Sequence, residues 1–220
     1  MQVASLIVAP IPPRYLSIVA HYESCLQKHG DSHLGVDWPD ADDVEVRHRV
    51  MLDLIRPQER GAPVSLLDFG CGASHLYEHL QRVGRTDVSY AGLDLSPRFV
   101  ELSRKKFPEN RYWQMDVLAD DPSTLPPFDY AVLNGVFTEK VDLSFEEMHD
   151  FWQRTVKVVF GLVTRGIAFN VMSKHVDWER EDLFHLPFDT LAAFLTTSVS
   201  RNFIVRNDYG LYEYTTYVYR

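Results

Sequence analysis

The chain has 220 residues, 45% of them hydrophobic and 24% charged, which is the make-up of one ordinary globular domain and excludes a fibrous, disordered or repeat protein. Thirty-one acidic residues against 22 Lys and Arg leave a formal charge of −9, so no global positive field exists to displace phosphate counterions, and a nucleic-acid substrate is disfavoured. Two cysteines, Cys25 and Cys71, cannot build a disulfide framework and fit a reducing, cytoplasmic setting. No stretch approaches the ~18 to 20 apolar residues that cross a bilayer, and the run Leu6 to Ala9 is too short for the core of an export signal.

In chain order, the first 60 residues lack strand patterning and read as a helical cap: a helix over Arg14 to His29, a loop over Gly30 to Asp43 and a helix over Val44 to Arg56. A core over 61–220 follows. Four compact apolar runs, Val64 to Phe69, Ser89 to Leu93, Arg111 to Met115 and Tyr130 to Leu133, alternate at first with helical patterns over Ser74 to Val83 and Pro97 to Phe107. That alternation predicts a parallel sheet with crossover helices. Ser96-Pro97 marks a helix start, with a capping hydroxyl and a proline at the first helical position. A long amphipathic helix is expected over Asp142 to Thr164, capped by Ser144 and stopped at Gly166. A fifth strand at Ile167 to Met172, a helix near Asp189 to Ser200 and a terminal antiparallel hairpin of Phe203 to Arg206 with Glu213 to Tyr219 complete the chain.

The chemistry concentrates at strand ends. Leu66-Leu67-Asp68-Phe69-Gly70-Cys71-Gly72 is a strand that finishes in a glycine turn before a helix, where the backbone can approach a ligand closely and the helix start offers free N–H groups. Asp94 ends the second strand about 20 residues further on, placed to accept from ribose hydroxyls. The third strand ends in Asp116-Val117, able to read an adenine edge, and the fourth in Asn134-Gly135. Ligands of open parallel sheets sit at this carboxyl edge.

These segments, with Gly92-Leu93-Asp94-Leu95-Ser96-Pro97 and Phe128-Asp129-Tyr130-Ala131-Val132, resemble the class I S-adenosylmethionine-dependent methyltransferases over roughly residues 15 to 220. A narrower likeness, through Gly35-Val36-Asp37-Trp38 and Asp208-Tyr209-Gly210-Leu211-Tyr212-Glu213, is to a group of small bacterial methyltransferases. The resemblance implies a Rossmann-like α/β/α sandwich, with a seven-stranded, mostly parallel sheet, an antiparallel C-terminal hairpin and an N-terminal cap. It implies S-adenosyl-L-methionine as donor and S-adenosyl-L-homocysteine as product. Asp68, Gly70 and Gly72 would border the methionine part, Asp94 the ribose, Leu95, Asp116 and Val117 the adenine, and Asn134 and Gly135 the methyl. Arg47 would pair with the donor carboxylate, and Tyr22 and Trp38 would close over the site. Ser74 stands where many members have a third glycine, and its hydroxyl is expected to cap the next helix.

The reaction expected is in-line transfer to an oxygen or nitrogen of a small polar metabolite, a sugar or an amine, by a monomer or homodimer. Base candidates cluster after the fifth strand, His175 first with Asp177 and the nearby Trp178, and a second group in the final hairpin is Tyr209, Tyr212 and Glu213; Asn134 stands beside the methyl. The acceptor pocket is expected from Tyr15 to Asp43, Ser173 to Glu181 and the hairpin around Tyr209. Two alternatives differ in class: a dinucleotide oxidoreductase, weakened by the missing third glycine, and a donor-binding partner protein without activity. His75-Leu76-Tyr77-Glu78-His79 matches an inverted zinc-protease signature, but the glycine turn in front of it argues against a metal there.

Overall fold

The computed structural model describes residues 12 to 220; the run Leu6 to Ala9 lies outside them. Its helices are α1 (Leu16–His29), α2 (Ala41–Leu52), α3 (His75–Arg82), α4 (Pro97–Lys106), α5 (Phe145–Gly161) and α6 (Phe188–Ser198). Its strands are β1 (Val64–Phe69), β2 (Val88–Asp94), β3 (Arg111–Gln114), β4 (Phe128–Phe137), β5 (Val163–Met172), β6 (Phe203–Arg206) and β7 (Glu213–Tyr219). They form one sheet in the order β3-β2-β1-β4-β5-β7-β6, with β7 antiparallel to both its neighbours and the other pairs parallel. The strand order reverses between β1 and β4, which opens a crevice at their carboxyl ends.

Period-two alternation sorts the strands' side chains into two cores. Leu67, Ala131, Leu133, Ile167 and Phe169 pack with α5 and α6, whereas Leu66, Tyr130, Val132 and Ala168 pack with α2 and α3. Trp152, fully buried on α5, anchors the first core against Phe169 and Phe194. The two helices of the expected cap differ in role. Met51 and Leu52 of α2 are buried in the second core, and Tyr219 of β7 donates its hydroxyl to Leu54 O just beyond (3.0 Å). By contrast α1 crosses the carboxyl ends of the strands, as shown below. Among the described residues no helix is long and apolar enough to cross a membrane.

Local chemistry explains where elements begin. Ser96 accepts from Phe99 N at 3.3 Å with Pro97 at the first position of α4, and Ser144 and Glu147 form a reciprocal capping box on α5. Asp40 accepts from Asp42 N at 2.9 Å, so α2 starts at Ala41, three residues earlier than its apolar pattern suggests.

Three expectations are corrected. Gly166 does not stop α5, which ends at Gly161; it lies inside β5 opposite Tyr219, where a Cβ would come within 2.8 Å of Val218 O. Its smallness serves a close strand approach. Ser74 does not cap α3: it sits at φ +60° and its hydroxyl donates to Ser103 Oγ at 2.8 Å, which donates in turn to Gly72 O at 2.8 Å. The hydroxyl thus braces the glycine turn from behind. The fourth strand runs on to Phe137, past a register shift against β5 between Leu133 and Phe137. Gly135 lies in that stretch with φ +79°, so the irregularity falls at the sheet edge where the site lies.

Candidate functional site

A cavity of about 130 Å³ opens at the switch point. Its floor is the turn after β1 and the ends of β2 and β4: Asp68, Gly70, Gly72, Asp94, Leu95, Asn134 and Gly135 all line it. Its roof is one face of α1 with the residue before it, Tyr15, Ile18, Val19 and Tyr22, at the spacing that puts side chains on one helical stripe. Tyr15 stacks on Phe151 with ring centroids 4.8 Å apart, and Tyr22 donates its hydroxyl to Gly135 O at 3.3 Å. The segment is therefore fastened at two points, to α5 through Tyr15 and to the end of β4 through Tyr22.

Asp94 is held by backbone donors, accepting from Gly72 N at 2.9 Å and Ser96 N at 2.8 Å, and burial pushes its carboxyl up to about 6. Asp68 is buried beneath the turn, accepts from Tyr90 Oη at 2.8 Å and is pushed up to about 7 by the same cause. Asn134 Oδ1 is buried with no hydrogen-bond partner among the described residues. Gly70 (φ +72°) has no room for a side chain, since a Cβ would stand 2.6 Å from Val136 Cγ2.

Not every residue expected here is in the wall. Asp116 accepts from Tyr15 Oη at 2.7 Å and Leu118 N at 3.0 Å, and Val117 is buried in the first core, so both stand one layer behind Tyr15. Arg47 is on the other side. Its Nε donates to Glu213 Oε2 at 3.0 Å, its guanidinium lies 5.3 Å from the Trp38 ring centroid, and it lines a second cavity instead of the first.

That second cavity, of about 540 Å³, is walled by the three expected segments: Asp37, Trp38 and Asp43 from the loop after α1 and the start of α2, Val176, Asp177 and Trp178 from the loop after β5, and Leu211, Tyr212 and Glu213 before and at β7. Thr138 and Glu139, just past β4, and His185 complete it. Tyr22 and Trp38 line both cavities and form the partition between them. Trp178 and Tyr212 stand exposed at the rim, 73% and 60% accessible, and Tyr212 donates to Asp177 Oδ2 at 3.1 Å.

Of the base candidates expected from the sequence, Asp177, Tyr212 and Glu213 line this wall, whereas His175 and Tyr209 do not. His175 is exposed and stacks on Phe188, with its backbone N–H donating to Ser173 Oγ at 3.0 Å. Tyr209 pairs with Thr215 Oγ1 at 2.9 Å. The imidazole that does face the cavity is His185, whose Nδ1 lies 2.6 Å from Ser173 O and whose Nε2 accepts from Arg180 N at 3.3 Å. Both ring nitrogens are thereby occupied in holding the loop. Glu139 escapes sequence reasoning because the apolar run ends the fourth strand at Leu133 and not Phe137, with an acid four residues past Gly135 as the available signal; His185 escapes because it lies beyond the expected Ser173 to Glu181 segment.

Other motifs resolve simply. His75 pairs with Asp31 at 2.8 Å and His79 with Glu45 at 3.0 Å, so the two imidazoles of the zinc-like motif serve different acids. Burial pushes His48, which lines the smaller cavity, down to about 3, so it stays neutral. The basic face of α4 is compensated: Lys106 contacts Asp31 and Glu78 at 2.7 Å each, Lys105 contacts Glu101 at 2.7 Å, and Arg98 contacts Glu23 at 3.4 Å. His21 and Asp37 are in direct contact at 2.7 Å, with Cys25 3.8 Å from the same imidazole nitrogen.

Comparison with known proteins gives a family match, a relative and a set of similar folds. Residues 67–159 match the protein family described as a methyltransferase domain. A putative methyltransferase of Mycobacterium tuberculosis is 29% identical over 159 residues, 71% of this chain and 93% of that one. The fold is similar to the magnesium protoporphyrin IX methyltransferase of Synechocystis with bound SAM (TM-score 0.59, 15% identity, 97% of this chain and 99% of that one). It is also similar to an S-adenosylmethionine-dependent methyltransferase of Clostridium acetobutylicum (TM-score 0.55, 12% identity, 93% and 98%).

Proposed function

We infer that this chain, which belongs to the class I S-adenosylmethionine-dependent methyltransferases, transfers the donor's methyl to an oxygen or nitrogen of a small polar acceptor held in the larger cavity. The observation that carries this reading is the partition. Tyr22 and Trp38 border both cavities, so a group bound at the glycine turn and a group bound under the exposed rim meet at one place.

The residues fit the donor. Asp94 keeps its two oxygens oriented by Gly72 and Ser96 and retains lone pairs for vicinal hydroxyls. Asn134 Oδ1, buried and unpartnered at the end of β4, is an acceptor waiting for a donor or for partial positive charge. S-adenosylmethionine supplies, when bound, a methyl on a positively charged sulfur that is open to in-line displacement. The protein's part is then alignment and exclusion of water. The α1 stripe covers the donor side, and the loop after β5 with the segment before β7 orients the acceptor.

A sugar or amine acceptor is supported by the wall itself, in which aromatic faces (Trp38, Trp178, Tyr212) stand beside carboxylates (Asp37, Asp43, Asp177). Such a mixture suits hydroxyl-rich or cationic small molecules. Both cysteines are free, in keeping with the cytoplasmic setting we propose. The test is product formation with methyl-labelled donor against sugars, nucleotide-sugars, amines, carboxylates and RNA. Label in a sugar or amine is expected; label in RNA alone would contradict the reading.

A further inference from the structure

β4 ends at Phe137, and the next two residues turn into the wall of the larger cavity. Backbone bonds fix the chain on both sides of Glu139: Phe184 N donates to Thr138 O at 2.8 Å, Lys140 N donates to Asp182 O at 2.8 Å, and Glu139 itself bridges to Leu183. The carboxylate, in contrast, takes no hydrogen bond and no ion pair among the described residues, although it is only partly exposed. A half-buried acid on a rigid backbone with no protein partner is partly desolvated and keeps its oxygens for a ligand in the cavity.

The charged and titratable groups around it account for this. From α1 come His21, Tyr22 and Cys25, from the turn after it Asp37, and from the loop between β5 and α6 Arg180 and Asp182. The two basic groups among them already have acidic partners, His21 in Asp37 at 2.7 Å and Arg180 in Asp182 at 3.0 Å. Burial pushes the Glu139 carboxyl up to about 7, the charges of Asp37 and Asp182 add to it, and Arg180 and His21 oppose it. The other acids of the same wall are occupied or otherwise stabilised. Asp37 holds His21, Asp177 holds Tyr212, and Glu213 holds Arg47 and Asn170, while Asp43 sits in the first turn of α2, beside the free N–H groups of that helix start.

We propose that Glu139 is the general base of the acceptor site, taking the proton from a hydroxyl or a neutral amine nitrogen as its lone pair attacks the methyl. The assignment rests on the function proposed above. In the step, the acceptor's oxygen or nitrogen forms a bond to the methyl carbon, the bond from that carbon to sulfur breaks with its electron pair left on sulfur, and the acceptor's proton passes to Glu139. Solvent at the open rim then removes the proton. A base that titrates near neutrality and lines the cavity beside Tyr22 suits this role better than an exposed histidine.

The test combines two readouts on the full chain. Carbon-detected NMR titration of the glutamate side-chain carboxyls, with S-adenosylhomocysteine present and with Glu139→Gln to assign the signal, reads the group directly. Methyl transfer from labelled donor to a panel of monosaccharides and aliphatic amines, measured from pH 5 to 9, reads its use. Expected are a midpoint near 7, a kcat that rises through that midpoint, a loss of about 100-fold or more in Glu139→Gln with unchanged donor affinity, and partial recovery in Glu139→Asp. A midpoint near the ordinary 4.5 overturns the proposal even if no panel member is methylated. So does wild-type turnover in Glu139→Gln. Failure to bind S-adenosylhomocysteine would instead remove the proposed function, and the titration in the free chain would still report on Glu139.

Discussion

Asn170 joins the two halves of the site to each other: its Oδ1 accepts from Gly135 N at 2.8 Å and its Nδ2 donates to Glu213 Oε1 at 3.0 Å. Glu213 in turn accepts from Arg47 Nε, so a buried polar chain runs from the end of β4, beside the smaller cavity, to a wall of the larger one. Glu213 is 1% exposed and Asn170 fully buried. Such a chain is strong when complete and costly when broken.

Breaking it gives the first expected outcome. Glu213→Ala leaves the Arg47 guanidinium buried without its counter-charge and should cost about 3 to 5 kcal/mol of stability. Asn170→Ala, which strands Gly135 N–H and one Glu213 oxygen, should cost about 1 to 3 kcal/mol. Urea unfolding followed by circular dichroism measures both, and unaltered midpoints would show that the chain of bonds contributes nothing.

Asp94 links donor affinity to pH. A ribose needs the ionised carboxylate, and burial has raised that group to about 6, so affinity should be full above pH 7 and weaken as pH falls through about 6. Asp94→Ala should lose about 1.5 to 3 kcal/mol of donor affinity with the fold intact. Titration calorimetry at several pH values checks both, and a flat pH profile would remove the ribose assignment.

His175→Ala and Tyr209→Phe should leave kcat within about twofold of wild type, because neither side chain lines a cavity. A large loss of turnover in either, with donor affinity unchanged, would return the base to that residue.

Removing residues 1 to 43 takes away the α1 stripe that roofs the donor and the Asp37–Trp38 wall of the acceptor cavity. Turnover should vanish. The milder Tyr22→Ala, which opens the partition and removes the bond to Gly135 O, should lower kcat at least tenfold while the melting temperature falls only a few degrees. Full activity in either variant would contradict a covering role.

The donor side was legible in the sequence because local signals carry it. Apolar runs of strand length, the glycines around Cys71 and the acid at the end of β2 each report on their own neighbourhood, and the sheet then brings the ends together. What could not be read depends on distant pairing. The resemblance alone places Arg47 on the donor carboxylate, and nothing near it in sequence reveals its partner 166 residues away, Glu213, which draws it to the other cavity. Ser74 looked like a helix cap, but a residue at φ +60° directs its hydroxyl into the layer behind, toward Ser103. Gly166 looked like a helix stop, and only the approach of β7 shows why a glycine is needed there. The larger cavity is walled by the segments that the sequence leaves outside the core, whereas Glu139, the base we propose, escaped because β4 runs four residues beyond the apolar run that announced it.

The central claim is that the glycine turn and Asp94 hold a sulfonium nucleoside. Calorimetric titration of the full chain with S-adenosylmethionine, S-adenosylhomocysteine and nicotinamide dinucleotides tests it most directly. One-to-one binding of both sulfur nucleosides, weakened together in Asp94→Ala, is expected, with no heat from the dinucleotides. Binding of a dinucleotide with no response to either sulfur nucleoside would contradict it.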